Sequence, residues 1–132
     1  MEREVVALPA SWICGDPGVI DIIRKVVRTH RWRLEDEKVL QGDLHVEFVA
    51  AGLSVEREVR LSPRDIIDFR IGAIGIEVKI KGSKRDIYRQ IERYCGHGVL
   101  SSIVLIMNAP VGMPAEISGT PVHVIGLTGA LA

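Results

Sequence analysis

The stretch DIIDFRIGAIGIEVKIK, residues 65–81, decides how the chain reads. Its two halves, 65–71 and 74–81, each alternate apolar and polar residues with the period of a β-strand. Only Gly72 and Ala73 separate them, so the spacing predicts an antiparallel hairpin turning at that pair. Alternation puts Ile67, Phe69 and Ile71 on one face, and Ile76, Val78 and Ile80 on one face of the second strand. If the two apolar faces coincide, Asp68 stands across from Glu77, with Lys79 on the same polar side. Directly opposed residues have Cβ atoms about 4.5–5.5 Å apart, so two carboxylates and a lysine meet at one spot.

Such a spot is costly without a cation. Two carboxylates this close repel, and at least one must hold its proton unless positive charge intervenes. A hard divalent cation such as Mg²⁺ prefers carboxylate oxygens and keeps several waters. It also lowers the pKa of a bound water and neutralises charge on a phosphate. Lys79 then reads as a group steadying an attacking hydroxide. The competing reading makes it the partner of a surface salt bridge.

Working outward, Asp16-Pro17 is a strong helix start, and Val19, Ile20, Ile22, Ile23, Val26 and Val27 supply an apolar stripe to about Thr29. A second helix is expected from about Leu34 to Ala51, closed by Gly52. Its core stripe, Leu40, Leu44, Phe48 and Ala51, also carries Glu37 and Gln41. Residues 55–61 read as a strand, with Glu56 and Glu58 opposite Val55, Val59 and Leu61. Glu58 either borders the polar spot or pairs with an arginine across the strands. Ser83 opens a helix over about 84–95 with Ile87, Ile91 and Tyr94 on one face and Gln90 beside them. The nearly all-apolar 99–107 reads as a strand buried on both faces. A Pro/Gly-rich loop at 109–121, a last strand at 122–127 and a short strand at 4–8 complete the expectation. The class is α/β, a mixed sheet flanked by helices, in one domain over residues 1–132.

The 132 residues carry 17 basic and 17 acidic side chains, so bulk charge cannot drive binding to nucleic acid. Phosphate contacts must come from local clusters. One holds Arg24, Lys25, Arg28, Arg31 and Arg33. The other holds Lys79, Lys81, Lys84, Arg85, Arg89 and Arg93. Either also reads as a solvated helix face. No apolar run reaches the ~18 residues of a membrane span, and the first residues lack a secretory apolar segment, so a cytoplasmic protein is expected. Cys14 and Cys95 have no metal-site spacing and are expected as reduced thiols. His30, His45, His97 and His123 show no ligand spacing and are expected at the surface or in loops.

The ordered set Asp68, Glu77-Val78-Lys79, Gln90 and Tyr94 resembles the PD-(D/E)XK nuclease superfamily. That resemblance implies a restriction-endonuclease-like αβββαβ core over about residues 34–107. The spacing Gln90-Ile-Glu-Arg-Tyr94 resembles the RecB-like branch with its Gln-x-x-x-Tyr motif. The proline that names the family is replaced by Ile67. The family often adds a metal-side glutamate from the preceding helix, and Glu37 is the best match, with Glu35, Asp36 and Glu47 as rivals.

The resemblance implies a deoxyribonuclease. Asp68 and Glu77 hold Mg²⁺, which Mn²⁺ can replace, with the Val78 carbonyl and Glu37 as further ligands. Lys79 orients or activates water, while Gln90 and Tyr94 position Lys79 or the DNA backbone. Lys81, Lys84, Arg85 and Arg89 are the expected DNA contacts. The chain's size suggests recognition of DNA structure or ends, with a homodimer supplying further surface. Alternatives are a non-catalytic nucleic-acid-binding or assembly domain on the same fold, or an unrelated α/β interaction protein. For Gln90 and Tyr94 the plainer reading is a surface amide and a core tyrosine.

Overall fold

A computed structural model describes residues 17–108 and 112–127. Cys14, Asp16 and the expected strand at 4–8 lie outside the described residues. Three helices and six strands follow in order: α1 (Pro17–Arg28), α2 (Glu37–Ala50), β1 (Glu56–Arg60), β2 (Ile66–Ile71), β3 (Ile74–Lys79), α3 (Lys84–Gly96), β4 (Ser102–Met107), β5 (Glu116–Ile117) and β6 (Thr120–Gly126). The strands form one mixed sheet in the order β1-β2-β3-β4-β6-β5. β1, β2 and β3 are antiparallel neighbours, β4 runs parallel to β3 and β6, and β5 turns back on β6. The class is therefore α/β with a mixed sheet between helices. Among the described residues no helix is long and apolar enough to cross a membrane.

Each helix buries most of the stripe expected of it; Ala51, expected on the stripe of α2, is instead its exposed C-cap. α1 and α2 cover one face, where Val19, Ile23, Val27, Leu40, Leu44 and Phe48 meet Phe69, Ile76, Val78, Val104 and Ile106. α3 covers the other, where Ile87, Ile91 and Tyr94 meet Ile103, Leu105 and Met107. β4 is buried along its whole length because it contributes to both cores.

Capping sets the helix ends that matter for the site. α2 begins later than the sequence pattern suggests because Asp36 is its N-cap, with its carboxylate accepting from Lys38 N and Val39 N. It ends in a Schellman arrangement. Gly52 takes φ 87°, its N–H reaches Val49 O, and Leu53 N reaches Phe48 O. Ser83 caps α3 through Asp86 N.

The hairpin turns where expected. Gly72 sits at φ 57°, and the ladder pairs Ile71 with Ile74, Arg70 with Gly75 and Phe69 with Ile76. Extending this register sets Asp68 across from Glu77. One face assignment differs. Ile67 packs with the α3 core, whereas Phe69 and Ile71 pack with α1 and α2. The reason lies at Asp68, which enters no ladder pair with β1 or β3. Glu58, skipped in the same register, takes φ 52°. The alternation of β2 thus breaks between Ile67 and Phe69, where β2 and β3 separate.

Candidate active site

The site occupies that separation. Where pairing ends after Phe69 and Ile76, side chains take over the strand's hydrogen bonds. Asp68 Oδ2 accepts from Val78 N at 2.8 Å, and Glu37 Oε2 accepts from Ile80 N at 3.0 Å. Asp68 N donates to Glu77 Oε1 at 3.3 Å. Lys79 Nζ stands 3.4 Å from Glu77 Oε2. Asp68 therefore has one oxygen fixed to the backbone of β3, and Glu37 one fixed to the residue that follows β3. The second oxygen of each accepts no hydrogen bond from the described residues.

The electrostatics follow from burial. Glu77 is only 3% exposed, and its carboxyl is pushed up to about 8, first by burial and then by the neighbouring Asp68. Asp68 is also raised by burial, opposed by the Val78 N–H bond and the Lys79 charge and reinforced by Glu37. The like charges expected from the sequence do meet. The ordering of causes is new, since desolvation outweighs their mutual repulsion.

The surrounding residues divide into two groups. Tyr94 is 1% exposed, and its hydroxyl donates to Ile66 O at 3.1 Å and accepts from Gln90 Nε2 at 2.9 Å. The tyrosine is thus the satisfied core residue of the plainer reading, and it ties α3 to β2 two residues before Asp68. Gln90 is half-buried and lines, with Lys79, Lys81, Gly82, Asp86, Ile87 and Arg93, a cavity of about 290 Å³. Lys84, Arg85 and Arg89 line a separate open hollow on α3 with Tyr88 and Glu92. Of the expected DNA contacts, only Lys81 borders the same cavity as Lys79.

The rivals of Glu37 have other work. Asp36 caps α2, Glu47 lies 3.0 Å from His30 Nε2, and Glu35 is exposed. Glu58 bonds Lys38 at 2.9 Å, so it pairs with a lysine of α2 rather than an arginine of the sheet. Gln41, one turn beyond Glu37, is buried with its Oε1 lacking any partner.

Sequence reading missed a second polar cluster. Asp65, 7% exposed, accepts from His97 Nε2 at 2.8 Å and from the Arg93 guanidinium at 3.3 Å. Its carboxyl is held below the usual range, chiefly by His97. His97 stands in the turn after α3, as a loop position was expected, but its ring is tied to a buried carboxylate. The pair is separated by 32 positions, and no local spacing announces it.

The donor set suits a small hard cation in its chemistry. Mg²⁺ is commonly bound through one or two carboxylates and completed by water and substrate phosphate. A buried carboxylate pair needs a proton or a cation at neutral pH. Among the described residues, however, no group of three or more His, Cys, Asp or Glu stands gathered for a metal. Glu37 is near enough to act on Asp68 electrostatically, but its bonded oxygen is turned to the backbone. No known family, curated protein or solved structure matches the chain.

Proposed function

We propose that the protein is a Mg²⁺-dependent deoxyribonuclease on a restriction-endonuclease-like core. The observation that carries this reading is the pair of buried Glu77 and half-buried Asp68, with Lys79 3.4 Å from Glu77, where β2 and β3 part. A structural pair of this kind costs stability, since burial disfavours both charges. A binding site for a cation gives that cost a use.

Asp68 and Glu77 would hold the ion, with the Val78 carbonyl as a further ligand and Glu37 orienting a water. The ion, when bound, neutralises phosphate charge and makes a bound water more acidic. Lys79 is short-tethered on the same side of β3 as Glu77 and positions that water or stabilises the anionic phosphorus centre. Gln90 faces the cavity beside Lys79 and contacts the DNA backbone. Tyr94 keeps β2 in register with α3, so it acts by positioning Asp68. The substrate class in this reading is DNA with a free end, flap or junction. A homodimer and a cytoplasmic location belong to the same proposal.

The second reading, a non-catalytic nucleic-acid-binding domain, draws support from the absence of a gathered metal cluster among the described residues. Calorimetric titration with Mn²⁺ separates the two. The wild type is expected to bind Mn²⁺, with proton release at pH near 7 because Glu77 must ionise. Glu77→Gln is expected to lose that binding and to be more stable without metal, by on the order of 1 kcal/mol or more. Equal Mn²⁺ binding by both proteins would assign the ion elsewhere.

A further inference from the structure

Ser62, Arg64, Asp65, Arg93, Gly96 and His97 enclose a cavity of about 660 Å³ at the junction of the β1–β2 turn and the end of α3. Arg93 lines both this cavity and the smaller one that contains Lys79 and Gln90. The two hollows therefore meet at Arg93. From Asp65 to Asp68 is three residues of strand, roughly 10 Å at the usual rise.

The walls of the larger cavity are built. Ser62 Oγ accepts from Arg64 N and Asp65 N, and Asp65 O accepts from Leu61 N and Ser62 N, which locks the turn. Asp65 is more than nine-tenths buried and fixes His97 and Arg93 from below. Arg93 uses Nε and Nη2 on Asp65, leaving Nη1 for a ligand. Arg64 is exposed and its guanidinium has no bond to another described residue. Both arginines are permanently charged and only one carboxylate opposes them, so the cavity carries net positive charge.

We propose that this cavity binds a backbone phosphate flanking the scissile one, with Arg64 and the free edge of Arg93 as its ligands and Asp65–His97 as the frame that orients Arg93. The subsite rests on the nuclease reading for the identity of the chain it holds. It differs from the hollow lined by Lys84, Arg85 and Arg89 in that one of its guanidinium groups, that of Arg93, is held by a buried carboxylate. Preorganised guanidinium groups recognise phosphate with more geometric selectivity than flexible lysines.

The test uses a single-stranded oligonucleotide in EDTA, with binding followed by fluorescence anisotropy across a salt series. Arg64→Ala removes no internal contact and so leaves the fold intact. It is expected to weaken binding roughly tenfold and to lower the slope of log K against log salt by about one. A neutral methylphosphonate linkage is then walked along the strand. One position should weaken wild-type binding and have no effect in Arg64→Ala. Arg93→Gln should show the same loss of sensitivity at that position. Unchanged affinity and slope in Arg64→Ala, or no linkage whose effect depends on the arginines, would overturn the subsite. If the wild type nevertheless cleaves DNA in Mn²⁺, the nuclease reading survives that result. If the wild type neither binds nor cleaves, both fall.

Discussion

At the scale of single residues, the hydroxyl of Tyr94 shows how a motif residue serves architecture. It bridges Gln90 on α3 and the Ile66 carbonyl at the start of β2. Burial and the nearby carboxylates Glu77, Asp68 and Asp65 raise its pKa, so it stays a neutral donor across the working pH range. Tyr94→Phe keeps the ring and leaves two part-buried groups, Gln90 Nε2 and Ile66 O, without their partner. It is expected to cost about 1–3 kcal/mol in urea unfolding. If Tyr94 acts by positioning Asp68, Mn²⁺ affinity should fall with it, whereas unchanged affinity would make the residue purely structural. Asp68 and Glu77 were legible because a two-residue turn leaves few registers open. Asp65 and His97 were not, because their meeting depends on how α3 lies over the β1–β2 turn. Glu37 was legible only as a helix face. Its bond to Ile80 N required knowing that β2 and β3 part at that level.

At the scale of elements, the hairpin formed by β2 and β3 is the feature on which the site depends. Its polar side is packed closely at the turn end and open at the site end. A Cβ placed on Gly75 would stand 2.6 Å from Ile67 Cδ1 and 2.7 Å from Leu100 Cδ1. Gly75 thus lets α3-side core residues cover β3 just before Glu77. Both obstructing atoms end flexible side chains, so Gly75→Ala should fold with an overpacking cost of about 1–3 kcal/mol. Denaturant midpoints measure it, and no loss of stability would contradict the close packing. The sequence pattern located α1 to α3, β1 to β4 and β6 to within a few residues, but β5, two residues long, falls inside the stretch 109–121 that read as a loop. It failed at two further kinds of place. Capping by Asp36 trimmed the start of α2, and the interruption at Asp68 turned Ile67 to the face opposite Phe69. Period-two reasoning assumes an unbroken ladder, and functional openings in a sheet break that assumption.

At the scale of the whole molecule, two buried carboxylates give stability opposite dependences on pH. Glu77 has its pKa raised, so its contribution is full below its ordinary 4.5 and drains away as pH rises through about 8. Asp65 has its pKa lowered, so its contribution is present above its ordinary 3.8 and is lost as pH falls through the depressed value. In EDTA, Tm is expected to peak in mildly acidic solution and to decline towards about pH 8. Added Mg²⁺ should raise Tm more at about pH 8 than at about pH 5, because the ion competes with the protons on Asp68 and Glu77. A metal effect independent of pH would argue against those two ligands. In the nuclease reading, a chain with no net charge would meet DNA through local positive groups, among them those on α3 and beside the β1–β2 turn.

The central claim is that Asp68, Glu77 and Lys79 cleave phosphodiester bonds. End-labelled single-stranded, flapped, branched and duplex DNAs incubated with the wild type and with Lys79→Ala, in Mg²⁺, Mn²⁺ or EDTA, test it directly. The account predicts metal-dependent cleavage of at least one substrate by the wild type and a rate loss of roughly 10²–10⁴-fold in Lys79→Ala at unchanged Tm. No cleavage of any substrate by the folded wild type, or full activity in Lys79→Ala, would contradict it.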